Sequence, residues 1–195
     1  MRSSLTNRQK QAIKTKNKIF DVTIELIDTE GFANVNIEDI CAKADVSIGT
    51  FYYYYKSKND VFFELYTRAD YYFEHTVKKK IRAGTYVDRV IKYFDHYAHY
   101  CELTGIDTMK QMMNAENKNF IKKGRYMQNL LIDILREGQE RKEIGRRMTP
   151  EQLCEYLFIV VRGIIFDWCL HDGDYDVRQM TESCLAPIVK TFLKK

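Results

Sequence analysis

Only two prolines, Pro150 and Pro187, interrupt this chain of 195 residues. Proline has no N–H to give an interior helical turn, and its ring collides with the carbonyl four residues back, so a chain almost free of it can run long helices. Glycine is sparse as well, at nine residues, whereas folds made of strands and turns need frequent Gly/Pro punctuation. The apolar residues supply the matching period: Ile13, Phe20, Ile24 and Ile27 fall on one helical stripe, with Ile19, Thr23 and Leu26 beside it. A hydrophobic content of 45% excludes intrinsic disorder and suffices, over this length, to bury a sizeable core. The expected class is all-α.

Capping residues divide the chain. A first helix runs from Thr6 or Asn7 to Glu30, where Gly31 ends it. Asn36, with Asp39 three residues on, opens a short helix Ile37–Ala44; Asp45-Val46 makes a tight break, and Ser47 caps a second short helix, Ile48–Tyr54. Ser57 caps a fourth helix on which Val61, Leu65, Ala69, Tyr72 and Thr76 keep helical spacing. Two short helices around a three-residue break, flanked by longer ones, make a helix-turn-helix arrangement. Beyond it the pattern predicts a helix from Gly84-Thr85 to about Leu103 with Val87, Val90, Ile91, Phe94 and Tyr97 inward, and a shorter one over Ile106–Ala115. One helix is predicted over 118–140, one from Thr149-Pro150-Glu151-Gln152 to about Leu170, and a last one from about Asp174 to Leu193, which Pro187 should kink or shorten. The reading is two domains, 1–57 and 58–195.

The charge is uneven. Residues 1–20 carry Arg2, Arg8, Lys10, Lys14, Lys16 and Lys18 and no acid, a local +6 within a net +4, so the rest sums to −2. Lys10, Lys14 and Lys18 lie at i, i+4 and i+8 and line one helix face. Such an arm is an electrostatic footprint for nucleic acid, although it can equally be a solvated tail. Five cysteines, Cys41, Cys101, Cys154, Cys169 and Cys184, have neither CxxC spacing nor an even count, so a disulfide framework or zinc site is not indicated and no cofactor is expected. The opening Met1-Arg2-Ser3-Ser4 lacks the apolar core of a signal peptide, and Arg162 interrupts the longest apolar run, Leu157–Ile165. A cytoplasmic protein without membrane contact is expected.

The second short helix carries the chemistry. Ile37, Ile40, Val46 and Phe51 can form the small core that fixes the two short helices, which leaves Ser47, Gly49, Thr50, Tyr52, Tyr53 and Tyr54 outward, with Lys56 and Lys58 behind them. Successive helical positions are about 100° apart, so consecutive tyrosines cannot all enter one core and some must be exposed. Hydroxyls and the helix start suit phosphate oxygens, Gly49 permits close backbone approach, Thr50 is short enough to meet a base edge, and the lysines neutralise charge.

The run Ala44-Asp45-Val46-Ser47, Gly49-Thr50-Phe51-Tyr52-Tyr53-Tyr54-Tyr55 and Lys56-Ser57-Lys58-Asn59-Asp60, preceded by Ile37…Ile40-Cys41, resembles the signature of TetR-family transcriptional regulators over about residues 10–65. The resemblance implies an N-terminal three-helix helix-turn-helix DNA-binding domain and a C-terminal helical domain for ligand binding and dimerisation. It implies a homodimer whose second short helix enters the major groove of a palindromic double-stranded operator, released when a small apolar or aromatic effector binds. Carried over residue by residue, Ser47, Gly49, Thr50, Tyr52, Tyr53 and Tyr54 line the groove contact, Asn36 and Lys58 meet phosphates, and Lys10, Lys14 and Lys16 add backbone contacts. The sequence makes three departures from the family pattern. Asp45 stands for the turn glycine, Tyr54-Tyr55 for His-Phe, and Asn36 for Thr; Asp tolerates the left-handed conformation but brings negative charge near DNA.

The last two helices would make the dimer bundle. Tyr66, Tyr93, Tyr97, Tyr100, Met109, Met112, Met113, Tyr126, Met127 and Trp168 are the candidate ligand pocket, with plain core packing as the alternative for each. His96, His99 and Glu102 sit on neighbouring turns, but they lack a second matched pair and a metal is not expected. No nucleophile triad, HExxH or phosphate-cradling loop is present. A non-enzymatic repressor is therefore preferred over a helical protein-binding adaptor or a small-molecule-binding enzyme.

Overall fold

The computed structural model describes residues 5–115 and 117–193; Arg2 of the basic arm lies outside them. The helices are α1 (Asn7–Glu30), α2 (Ile37–Ala44), α3 (Ile48–Tyr54), α4 (Lys58–Tyr72), α5 (Lys78–Lys80), α6 (Tyr86–Thr104), α7 (Ile106–Met112), α8 (Tyr126–Glu140), α9 (Pro150–Leu170) and α10 (Val177–Lys190). The all-α expectation is met. None of the described helices is long and apolar enough to cross a membrane.

The chain divides into two compact units, Met1–Tyr66 and Thr67–Lys195. The division falls within α4, past the boundary at residues 57 and 58 read from the sequence. In the first unit Ile19, Phe20, Leu26 and Ile27 of α1 close over Ile40, Cys41 and Ala44 of α2, Phe51 of α3 and Val61, Phe62 and Leu65 of α4, all buried. Ile13 does not join them. It is 48% exposed, because the core lies beyond the first three turns of α1.

In the second unit α6 is the central helix, burying Tyr86, Val90, Tyr93, Phe94, Tyr97, Ala98 and Cys101, while Val87 and Ile91 are only half-buried. Its start is fixed by a reciprocal cap in which Thr85 Oγ1 accepts from the Asp88 N–H at 3.2 Å and Asp88 Oδ2 from the Thr85 N–H at 3.1 Å. The same device opens α9, between Thr149 and Gln152, with Pro150 in the first turn. After α4 the backbone passes through a π turn, Phe73–Val77, which buries Phe73 and Val77 against this core.

Three helices after α6 differ from the sequence reading. The single helix expected over 118–140 is a 3-10 turn, Lys118–Ile121, followed by α8. Gly124 at φ +85° breaks the right-handed path between them, and Ile121 stays exposed. The first turn of α8 draws instead on Asp70, whose carboxylate accepts the Met127 N–H at 3.0 Å and Arg125 Nε–H at 3.2 Å. Helix α7 stops at Met112 rather than Ala115. The last helix is shorter at both ends: Asp176 caps it, with Oδ1 accepting from the Gln179 N–H at 2.9 Å, and it stops at Lys190, one turn past Pro187.

Candidate DNA-binding surface

The geometry of α3 follows from its two ends. The connection from α2 is turned by Asp45, which takes the left-handed conformation at φ 53° and ψ 53°, and its N–H returns to the carbonyls of Ala42 and Cys41. Asp is among the few residues other than glycine that visit this region at modest cost. Ser47 then caps α3, its Oγ accepting from the Thr50 N–H at 3.1 Å and lying 2.9 Å from Thr50 Oγ1.

These constraints set the rotation of the helix. Phe51 is fully buried, and Tyr55, just past the helix end, is 4% exposed, with their rings 5.9 Å apart. A residue one step beyond Phe51 must then turn outward. Tyr53 is 79% exposed and Tyr52 52%, while Tyr54 is half-buried with its ring edge-on to Tyr53 at 4.9 Å. Ser47 and Gly49 are exposed, and Thr50 is half-buried. The six outward residues read from the sequence thus occupy one region of surface, with Ile48, 46% exposed, as a seventh member that the sequence reading passed over.

The flanking residues divide into two sets. Lys10, Lys14 and Asn36 are exposed, and Asn36 Oδ1 is engaged with the Asp39 N–H at 2.8 Å as a helix cap. Lys16 and Lys58 are held internally. The Lys16 ammonium lies 2.5 Å from Glu64 Oε2 and 5.7 Å from the centre of the Tyr55 ring, so it ties α1 to α4. Lys58 Nζ donates to the carbonyls of Phe32 and Val35, the latter at 2.6 Å, and lies 3.9 Å over the Phe32 ring. Two of its three N–H donors are thereby engaged in fixing the loop between α1 and α2, and burial lowers its pKa from the ordinary lysine value.

Within the second unit, Tyr93, Tyr97, Met109, Met112, Met127 and Trp168 are buried, and Tyr100, Met113 and Tyr126 half-buried. Tyr93, Phe94, Tyr97 and Phe158 pack edge to face with centroids 5.0 to 6.3 Å apart. The Tyr93 hydroxyl donates to the Met127 carbonyl at 2.7 Å and Trp168 Nε1–H to the Tyr175 carbonyl at 3.1 Å. Tyr66 closes the first unit and is half-buried. His96 and His99 turn to different partners: His96 Nδ1 lies 2.8 Å from the Tyr72 hydroxyl, and His99 Nδ1 lies 3.4 Å from Glu102 Oε2.

A short helix rotated so that its tyrosines and small residues face water, on a head carrying an exposed lysine row, defines a helix-turn-helix DNA-binding regulator. Residues 19–65 match the family described as "Bacterial regulatory proteins, tetR family". Over these residues the first unit is matched to the DNA-binding head of TetR-family transcriptional regulators. It is 27% identical over 181 residues to the fatty acid metabolism regulator protein of Bacillus subtilis, covering 88% of this chain and 92% of that one. Among solved structures, Thermus thermophilus FadR, a TetR-family repressor in complex with lauroyl-CoA, superposes with a TM-score of 0.65 at 17% identity, over 92% of this chain and 96% of that one. A TetR-family regulator from a Rhodococcus species gives 0.67 at 16% identity, over 93% and 100%. These two likenesses establish the fold across both units.

Proposed function

We propose that this protein is a cytoplasmic, homodimeric repressor that leaves its operator when the helical unit binds a fatty acyl-CoA. The observation that carries the DNA-binding part is the rotation of α3, which buries Phe51 and leaves Tyr52 and Tyr53 in solvent. Ser47, Gly49, Thr50, Tyr52, Tyr53 and Tyr54 would face the major groove, Asn36 would meet a phosphate, and Lys10 and Lys14 would neutralise the backbone. Lys16 and Lys58 would act mainly by holding the head together, because their ammonium groups already have partners.

Dimerisation is supported by the outer face of α9. Tyr156, Ile159, Phe166 and Leu170 are exposed at helical spacing around Gly163, and Met180 of α10 is exposed as well. A run of large apolar groups in water on two adjacent C-terminal helices is what a symmetric helical bundle would cover. Two heads are needed if two copies of α3 are to reach major grooves about 34–36 Å apart.

The acyl-CoA effector is supported by the likeness to a fatty acid metabolism regulator over nearly the whole chain and by the shared fold with Thermus thermophilus FadR, solved in complex with lauroyl-CoA, and an apolar, methionine- and aromatic-rich helical body suits an acyl tail. The test is fluorescence anisotropy of a labelled duplex taken from upstream of the protein's own gene, titrated with lauroyl-CoA. Binding of the duplex and its release by lauroyl-CoA, with coenzyme A and laurate each inactive alone, is the expected result. A duplex that binds and is not released refutes the effector while leaving the regulator intact.

A further inference from the structure

We infer that α3 identifies its DNA site chiefly through the methyl groups of thymines, with Ile48 as the specificity-determining residue. The inference rests on the reading that α3 enters the major groove. In that groove guanine is read by Arg or Lys, adenine by Asn or Gln and cytosine by Asp or Glu, while thymine alone offers an apolar group, its 5-methyl. The helix Ile48-Gly49-Thr50-Phe51-Tyr52-Tyr53-Tyr54 contains none of those hydrogen-bonding readers.

Besides its hydroxyls, what it offers is apolar and fixed in place. Ile48 is 46% exposed on the first turn, and its β-branched side chain has few rotamers to lose on contact. The Thr50 hydroxyl is 2.9 Å from Ser47 Oγ, which engages one of its hydrogen-bonding positions within the protein, and the same side chain carries a methyl group that can meet a base. Tyr52 is held edge-on to Phe51 at 5.7 Å and Tyr53 edge-on to Tyr54 at 4.9 Å. Between them Gly49 leaves bare backbone. A Cβ there would meet only Ser47 Oγ, at 3.8 Å, so nothing within the fold demands glycine at that position. The gap is room for a ligand to approach, and the side chains on its rim are suited to methyl groups.

The test starts from a duplex enriched from a random-sequence pool by the full-length protein, resynthesised with deoxyuridine in place of thymidine. Uracil keeps the O4 acceptor and the base pairing and removes only the methyl. Kd should rise about fourfold per contacted thymine, the equivalent of burying one methyl-sized group, and uridines confined to the flanks should change nothing. Ile48→Ala should weaken binding to the thymine duplex and lower the uracil-to-thymine Kd ratio, with its melting temperature unchanged because Ile48 is exposed. Equal affinity of the unmodified protein for both duplexes overturns methyl reading while DNA binding stands. An unchanged ratio in Ile48→Ala overturns the assignment to that residue. Failure to enrich any duplex overturns the groove-binding reading beneath both.

Discussion

Helices α3 and α6 are both rich in tyrosine and use it in opposite ways. On α6, Tyr86, Tyr93 and Tyr97 are buried, and the Tyr93 hydroxyl, deep in the unit, is satisfied by the Met127 carbonyl. Burial pushes the Tyr86 and Tyr93 phenols well above their ordinary pKa, since the phenolate cannot be solvated there. On α3, two consecutive rings, Tyr52 and Tyr53, stand in water. The same side chain is thus a core element in one helix and a contact element in the other. What separates them is the rotation of each helix about its own axis, set by Phe51 in one case and by Tyr93 and Phe94 in the other.

The comparison can be broken most sharply at the core side. Tyr93→Ala removes a fully buried ring and its hydrogen bond to the Met127 carbonyl, and should lower stability by about 4 kcal/mol in a urea titration; a loss below about 1 kcal/mol would mean that α6 is not packed as described. On the other side, Tyr53→Ala should leave the urea midpoint within about 0.5 kcal/mol of the parent and reduce operator affinity at least tenfold in an anisotropy assay. Retained affinity with an intact fold would show that the exposed ring is idle.

Gly49→Ala separates fold from function at one atom. The added Cβ meets nothing closer than 3.8 Å and alanine is the better helix former by about 1 kcal/mol, so the melting temperature should hold or rise while DNA binding falls. A variant that binds DNA as the parent does removes the argument for close backbone approach.

The smallest effect concerns the ion pair of Asp95 on α6 with Arg178 on α10, two hydrogen bonds at 2.7 and 2.9 Å. Arg178 holds the Asp95 carboxyl below the usual aspartate range, so the pair stabilises the fold above that range and its contribution is lost as pH falls through the lowered value. Both groups are partly exposed, which keeps the effect modest. Arg178→Gln should lower the melting temperature at pH 7 by more than it does in acid, the difference shrinking as pH falls below the ordinary aspartate range; an equal loss at every pH would assign the effect to packing.

Much of this was legible because local rules govern it. The Asn36–Asp39, Thr85–Asp88 and Thr149–Gln152 caps each involve residues three apart, and so the starts of α2, α6 and α9 could be read directly from the chain. The break at Gly124 could not, because a glycine inside an apolar period is compatible with either a helix or a stop until its neighbours pack. Ile13 fits the apolar stripe of α1 equally well whether or not another helix reaches it.

The sequence by itself determined the helical class, the turn at Asp45, the capped α3 and the necessity that some of its tyrosines face water, since each depends on residues within a turn or two. Which tyrosines those are, that Ile48 stands with them, and that Lys16 and Lys58 are engaged with Glu64 and with the carbonyls of Phe32 and Val35 was decided by tertiary structure. Those partners lie 48, 26 and 23 residues away. A lysine in a basic run looks the same in sequence whether it waits for a phosphate or already has a partner, because the contact that distinguishes the two cases forms only when distant segments of the chain are brought together.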